Sequence, residues 1–124
     1  MIPHSDFENP NWNRKFDYVP PKRPLSLEEV KKRLINLEGW TLSRDGATIR
    51  CDLAMEDFAS AIGLIRAIAE LAEAEDHHPD LHVTGYCKLG IELSTHDAGG
   101  LTDQDFMLAA QIDALPKRLK APEA

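Results

Sequence analysis

The stretch from Glu56 to Glu75 carries apolar side chains at Phe58, Ala61, Ile62, Ile65, Ile68, Ala69 and Ala72, and Pro79 stands just beyond it. That spacing collects them on one broad face of an α-helix. Pro79 disfavours right-handed helical geometry at His78, so the helix has to end near Asp76. One long amphipathic helix with a fixed stop therefore anchors any fold this chain can adopt.

The flanking segments supply the other elements. Ser26 followed by Glu29 is a capping box, and Leu27, Val30, Leu34 and Leu37 continue at helical spacing until Gly39, a suitable stop. "WTLSRDGATIRCDL" reads as a hairpin in which Asp45-Gly46 make the turn and Ile49, Cys51 and Leu53 share one face. Leu89, Ile91 and Leu93 alternate in a strand over 87–94, with a partner strand over 81–84. Thr102 caps a third helix carrying Phe106, Leu108 to Ala110 and Ile112, which Pro116 ends or kinks. The order is α-β-β-α-β-β-α. It predicts an α+β domain with a four-stranded antiparallel sheet and three helices packed on one face.

At 124 residues the chain is one domain long, with 43% hydrophobic and 28% charged residues, as in ordinary globular proteins. Residues 1–24 differ from the domain over 25–120. Prolines at 3, 10, 20, 21 and 24 leave no room for a helix, yet Phe7, Trp12, Phe16 and Tyr18 make the stretch too aromatic for a purely solvated tail. A formal net charge of −7 argues against nucleic acid or an anionic membrane as partner. No apolar run resembles a signal-peptide core or a membrane span, so a cytoplasmic location is expected. Cys51 and Cys87 lack CxxC spacing and are expected as reduced thiols on strands.

Three of the five histidines fall within six residues, at 77, 78 and 82, and His96 follows in "ELSTHD". A metal site is one reading, but Pro79 stands between His78 and His82, and there is neither HExxH nor a nearby thiolate. Surface histidines beside a helix C-terminus are a second, since the helix dipole favours them there. The third is acid–base chemistry: with a reference pKa near 6.5, one imidazole can accept a proton while another donates one. Asp76 or Asp105 would orient a ring. No GxSxG elbow, GxGxxG or phosphate-binding loop is present, so neither a nucleophile nor a nucleotide cofactor is implied. Proton transfer alone suits an elimination, a hydration or a tautomerisation.

Glu73-x₃-His77-His78-Pro79, then six residues to Tyr86, nine to His96 and eight to Asp105, resembles the signature of the pterin-4a-carbinolamine dehydratases. Gly39-Trp40, "DFASAIGLIRAIAELAEAEDHHP" and "ELSTHDAGGLTDQDF" look like that family too, and the likeness spans Ser26 to Leu115. The resemblance implies dehydration of 4a-hydroxytetrahydropterin to quinonoid dihydropterin, recycling the cofactor of aromatic amino acid hydroxylases. The reaction takes a proton from a ring nitrogen, delivers one to the departing hydroxyl and needs no cofactor.

By the same resemblance, His77, His78 and His96 match the active-site histidines, with His77 and His96 as the proton-transfer pair and His78 positioning substrate. Asp76 matches the acid before the pair, Asp105 the acid in the third helix, and Ser94, Thr95 and Asp97 the pterin-binding residues around His96. Glu73 and Trp40 match positions near the pocket. His82 has no counterpart and is expected on a solvent-facing strand position. Homodimers or homotetramers are implied. So is an alternative role, as a dimerisation partner of a transcription factor or an enzyme assembly factor. Departures are the 1–24 arm and "TIRCDL", which lacks the aromatics common at that strand.

Overall fold

The structure, a computed structural model, describes residues 23–121, so most of the proline-rich arm expected over 1–24 lies outside the described residues. Helix α1 (Leu27–Leu34) begins at the capping box. Ser26 Oγ accepts from the Glu29 N–H at 3.2 Å, and the Ser26 N–H donates to Glu29 Oε1 at 3.5 Å. It ends well before Gly39. The chain leaves in turns over 35–39, and Gly39 (φ +79°), in the left-handed region, swings it into the sheet.

Strands β1 (Trp40–Leu42) and β2 (Ile49–Ala54) follow, then α2 (Phe58–Glu75), β3 (Asp80–Thr84), β4 (Lys88–Leu93), a 3₁₀ turn (His96–Ala98) and α3 (Asp103–Asp113). The order is the expected α-β-β-α-β-β-α. The four strands lie β1-β2-β4-β3, every neighbour antiparallel. Register pairs Ile49 with Leu93, Cys51 with Ile91, and Leu53 with Leu89. One sheet face is therefore continuous apolar surface, and it joins Val30 of α1, Ala61, Leu64 and Ile68 of α2, and Phe106, Leu108, Ala109 and Ile112 of α3 in a single core. The opposite face is polar. There Arg50 pairs with Asp52 (2.9 Å) and Glu92 (3.0 Å), and His82 Nε2 lies 2.9 Å from Glu92 Oε1, so His82 is on the solvent side as expected.

The apolar stripe of α2 needs correcting. The buried line is Ala61, Leu64, Ile68 and Ala72, whereas Phe58 is 52% and Ile62 37% exposed. A cylinder resting on a sheet buries only the strip at the contact, so an apolar face wider than that strip leaves one shoulder uncovered by the described residues. Beyond α3 the chain returns along the start of α2. The Glu56 N–H donates to Arg118 O (2.7 Å) and the Lys120 N–H to Ala54 O (2.8 Å). Both thiols, Cys51 and Cys87, are free and buried.

Candidate active site

Three chain segments meet at one place: the C-terminal end of α2, the exit of β4 and the first turn of α3. The α2 end is a Schellman turn. Asp76 takes a left-handed conformation (φ 50°, ψ 44°), its N–H donates to Glu73 O (3.3 Å), and the His77 N–H donates to Ala72 O (3.0 Å). Aspartate is among the few non-glycine residues that tolerate this geometry. The turn ties the His77 backbone to the last helical turn and leaves Asp76 and His78 in solvent, while His77 is only 7% exposed.

The buried ring meets a buried acid. His77 Nε2 lies 2.6 Å from Asp105 Oδ1, and Asp105 is 0% exposed. Asp105 Oδ2 accepts from the Thr95 hydroxyl at 2.7 Å and from the Thr102 N–H at 2.9 Å, and the two threonine hydroxyls lie 2.8 Å apart. Thr95 is fixed in turn by backbone pairing with Gly100. A buried carboxylate held by this many donors is well satisfied, which its burial requires.

His96 directly follows Thr95 and is exposed. It lines a cleft of about 300 Å³ with Ser94, Thr95, Gly100 and three residues between β1 and β2, Asp45, Ala47 and Thr48. Asp45 was read only as a turn residue, and nothing in its local pattern marks it as a cleft wall. The Ser43 hydroxyl, then the Ala47 N–H, hold its carboxyl below the usual carboxylate range. A larger cleft of about 410 Å³, between the start of α2 and residues 116–118, contains none of the expected site residues.

His78 is exposed, its Nε2 3.6 Å from Glu73 Oε2, an ion-pair distance too long for a hydrogen bond. Asp97 is exposed in the 3₁₀ turn. Tyr86 sits with Gly85 in the β3–β4 turn, both at positive φ, with its ring in solvent. Trp40 is not brought to the cluster. Its indole N–H donates to Asp113 Oδ1 at 2.8 Å, eight residues beyond Asp105 and about 12 Å further along α3. Among the described residues no three His, Cys, Asp or Glu side chains are grouped to hold a metal ion. No helix among them is long and apolar enough to cross a membrane.

The family description Pterin 4 alpha carbinolamine dehydratase matches residues 23–115, three-quarters of the chain, including every residue of this cluster. The chain belongs to the pterin-4a-carbinolamine dehydratase family. An Aquifex aeolicus protein named as a pterin-4-alpha-carbinolamine dehydratase is 45% identical over 97 residues, 78% of this chain and 95% of that one. A crystal structure described as transcriptional coactivator/pterin dehydratase from Brucella melitensis superposes with a TM-score of 0.70 at 29% identity, over 74% of this chain and 97% of that one. A pterin dehydratase-like protein identified as a RuBisCO assembly factor in the alpha-carboxysome reaches a TM-score of 0.53 at 20% identity, over 62% and 88% of the two chains. At that identity the likeness is one of fold.

Proposed function

We propose that the chain dehydrates 4a-hydroxytetrahydropterin to quinonoid dihydropterin by histidine acid–base catalysis. The observation that carries this reading is the buried His77–Asp105 pair at 2.6 Å, joined to Thr95, the residue preceding His96. The elimination removes one proton from ring nitrogen and breaks the C4a–OH bond as a second proton reaches the oxygen; water leaves and a C=N bond forms. His77 and His96 are the proton-transfer pair, and Asp105 orients His77. His78, exposed and near Glu73, positions substrate. Ser94 and Thr95 line the cleft beside His96 and, with the exposed Asp97 that follows it, offer backbone and side-chain polar groups to a pterin.

The test is stopped-flow absorbance of chemically generated 4a-hydroxytetrahydropterin at neutral pH. The wild type is compared with His77→Ala and His96→Ala, because the uncatalysed reaction runs by itself. Acceleration by the wild type and its loss in both variants is the expected result; a folded wild type that accelerates nothing sinks the reading.

The partner of the single chain is proposed to be further copies of itself, supported by the uncovered α2 shoulder at Phe58 and Ile62. Free, buried Cys51 and Cys87 support a reducing compartment such as the cytoplasm. A second, binding role as a coactivator is favoured by one observation, the likeness to the Brucella melitensis structure described as a transcriptional coactivator/pterin dehydratase. Deleting residues 1–24 with assembly and binding unchanged would remove the arm from such a role.

A further inference from the structure

We propose that Thr102 and Thr95 are positioning residues whose hydroxyls form a one-way chain onto Asp105 Oδ2, so that Oδ1 is left to hold His77 as the Nε2–H tautomer and Nδ1 is the nitrogen that exchanges a proton. The inference rests on the dehydratase reading of the site for its catalytic consequence, but its structural content stands apart from it.

The direction of the chain follows from counting donors. Thr95 Oγ1 lies 2.7 Å from Asp105 Oδ2, and a carboxylate can only accept. The single Thr95 hydroxyl proton is therefore spent there. The 2.8 Å contact between the two hydroxyls must then be donated by Thr102, whose backbone N–H also donates to Asp105 Oδ2 at 2.9 Å. With Oδ2 taken by two donors, Oδ1 faces His77 Nε2 at 2.6 Å, and that nitrogen must carry the hydrogen. A neutral imidazole protonated at Nε2 has its lone pair at Nδ1. All four residues are buried, so water does not compete for these bonds. Thr102 therefore does more than begin α3. The same residue that reads in sequence as a helix cap sits at the head of the chain that orients the histidine.

Nitrogen-15 NMR of the histidine side chains tests this directly. In the wild type at a pH where His77 is neutral, its two ring nitrogens should give the pattern of a single Nε2–H tautomer, and two slowly exchanging hydroxyl protons should be visible. A Nδ1–H or mixed tautomer in the wild type overturns the proposal without any variant. Thr95→Val takes one of the two donors from Asp105 Oδ2, so the His77 Nε2–H resonance is expected to shift while the tautomer stays, with kcat lowered about 10- to 100-fold and KM little changed. Thr95→Ser should restore both the resonance and kcat. An unshifted resonance with unchanged kcat in folded Thr95→Val, or no recovery in Thr95→Ser, refutes it. A wild type with the locked tautomer but no acceleration of carbinolamine dehydration would refute the proposed function and leave the hydroxyl chain standing.

Discussion

The indole N–H of Trp40, the first residue of β1, donates to Asp113 Oδ1 at 2.8 Å and so ties the sheet to the last turn of α3. Trp40 is buried, so removing Asp113 strands its indole N–H, whereas removing the indole leaves only the exposed Asp113 carboxylate. Trp40→Phe and Asp113→Ala are each expected to cost about 1 kcal/mol from the hydrogen bond, beyond any packing loss. Denaturant unfolding of the singles and the double variant should show a coupling of similar size. Additive costs would mean that the contact contributes nothing to stability.

Asp105→Asn is expected to lower kcat by about 10²- to 10⁴-fold, the range seen when a general acid–base histidine loses its function. The amide NH₂ must point at either His77 or the Thr95–Thr102 donors, and neither choice satisfies both. KM should change little, because Asp105 is 0% exposed and cannot touch substrate. His78→Ala should behave oppositely in the same stopped-flow assay, raising KM more than it lowers kcat.

Asp76 separates a backbone role from a carboxylate role. Its left-handed conformation (φ 50°) is tolerated by Gly and penalised by β-branched residues. Asp76→Gly is expected to keep stability within about 0.5 kcal/mol, and Asp76→Val to cost roughly 1–2 kcal/mol. If both variants melt alike, the Schellman turn is not what fixes His77.

A Cβ added at Gly90 would come within 2.3 Å of Arg50 Nη2, and Arg50 is held by Asp52 and Glu92. Gly90→Ala should therefore displace an ion-paired, solvent-facing guanidinium and cost about 1 kcal/mol or less. In an Arg50→Ala background the same change should be neutral or stabilising, since alanine suits a strand better than glycine. Thermal unfolding of the four proteins decides it.

Burial, followed by the charges of Asp113 and Asp52, pushes the Cys51 thiol up from 9.0 to about 11. The sign follows from proton counting. Between these values the unfolded chain has released a proton that the folded chain keeps, so stability falls as pH rises from 9 to 11 and is unaffected by this group below 9. Unfolding free energies measured across that window should fall less steeply in Cys51→Ala than in the wild type. Equal slopes would show that the thiol does not titrate differently on folding.

Much of this molecule could be read locally. Ser26 with Glu29 set the start of α1, Pro79 set the end of α2 to within a few residues, and the alternation of Leu89, Ile91 and Leu93 marked an inward strand face. These signals are legible because each depends on residues no more than four apart. The first helix was read too long, because Leu37 keeps the helical period after the backbone has left the helix.

The motif spacing, by itself, named the histidines and both candidate acids, because those residue types and intervals are written in the chain. It could not choose between Asp76 and Asp105. Asp76 is adjacent to His77, but the left-handed turn leaves it in solvent while its neighbour is buried. Asp105 is 28 residues away, and the packing of α3 against α2 and β4 carries it to 2.6 Å from the ring. Likewise, only the helix–sheet contact decided which strip of α2 is covered and where Trp40 points. Pairing across long loops is decided by the burial of whole faces, and no local run of residues encodes it.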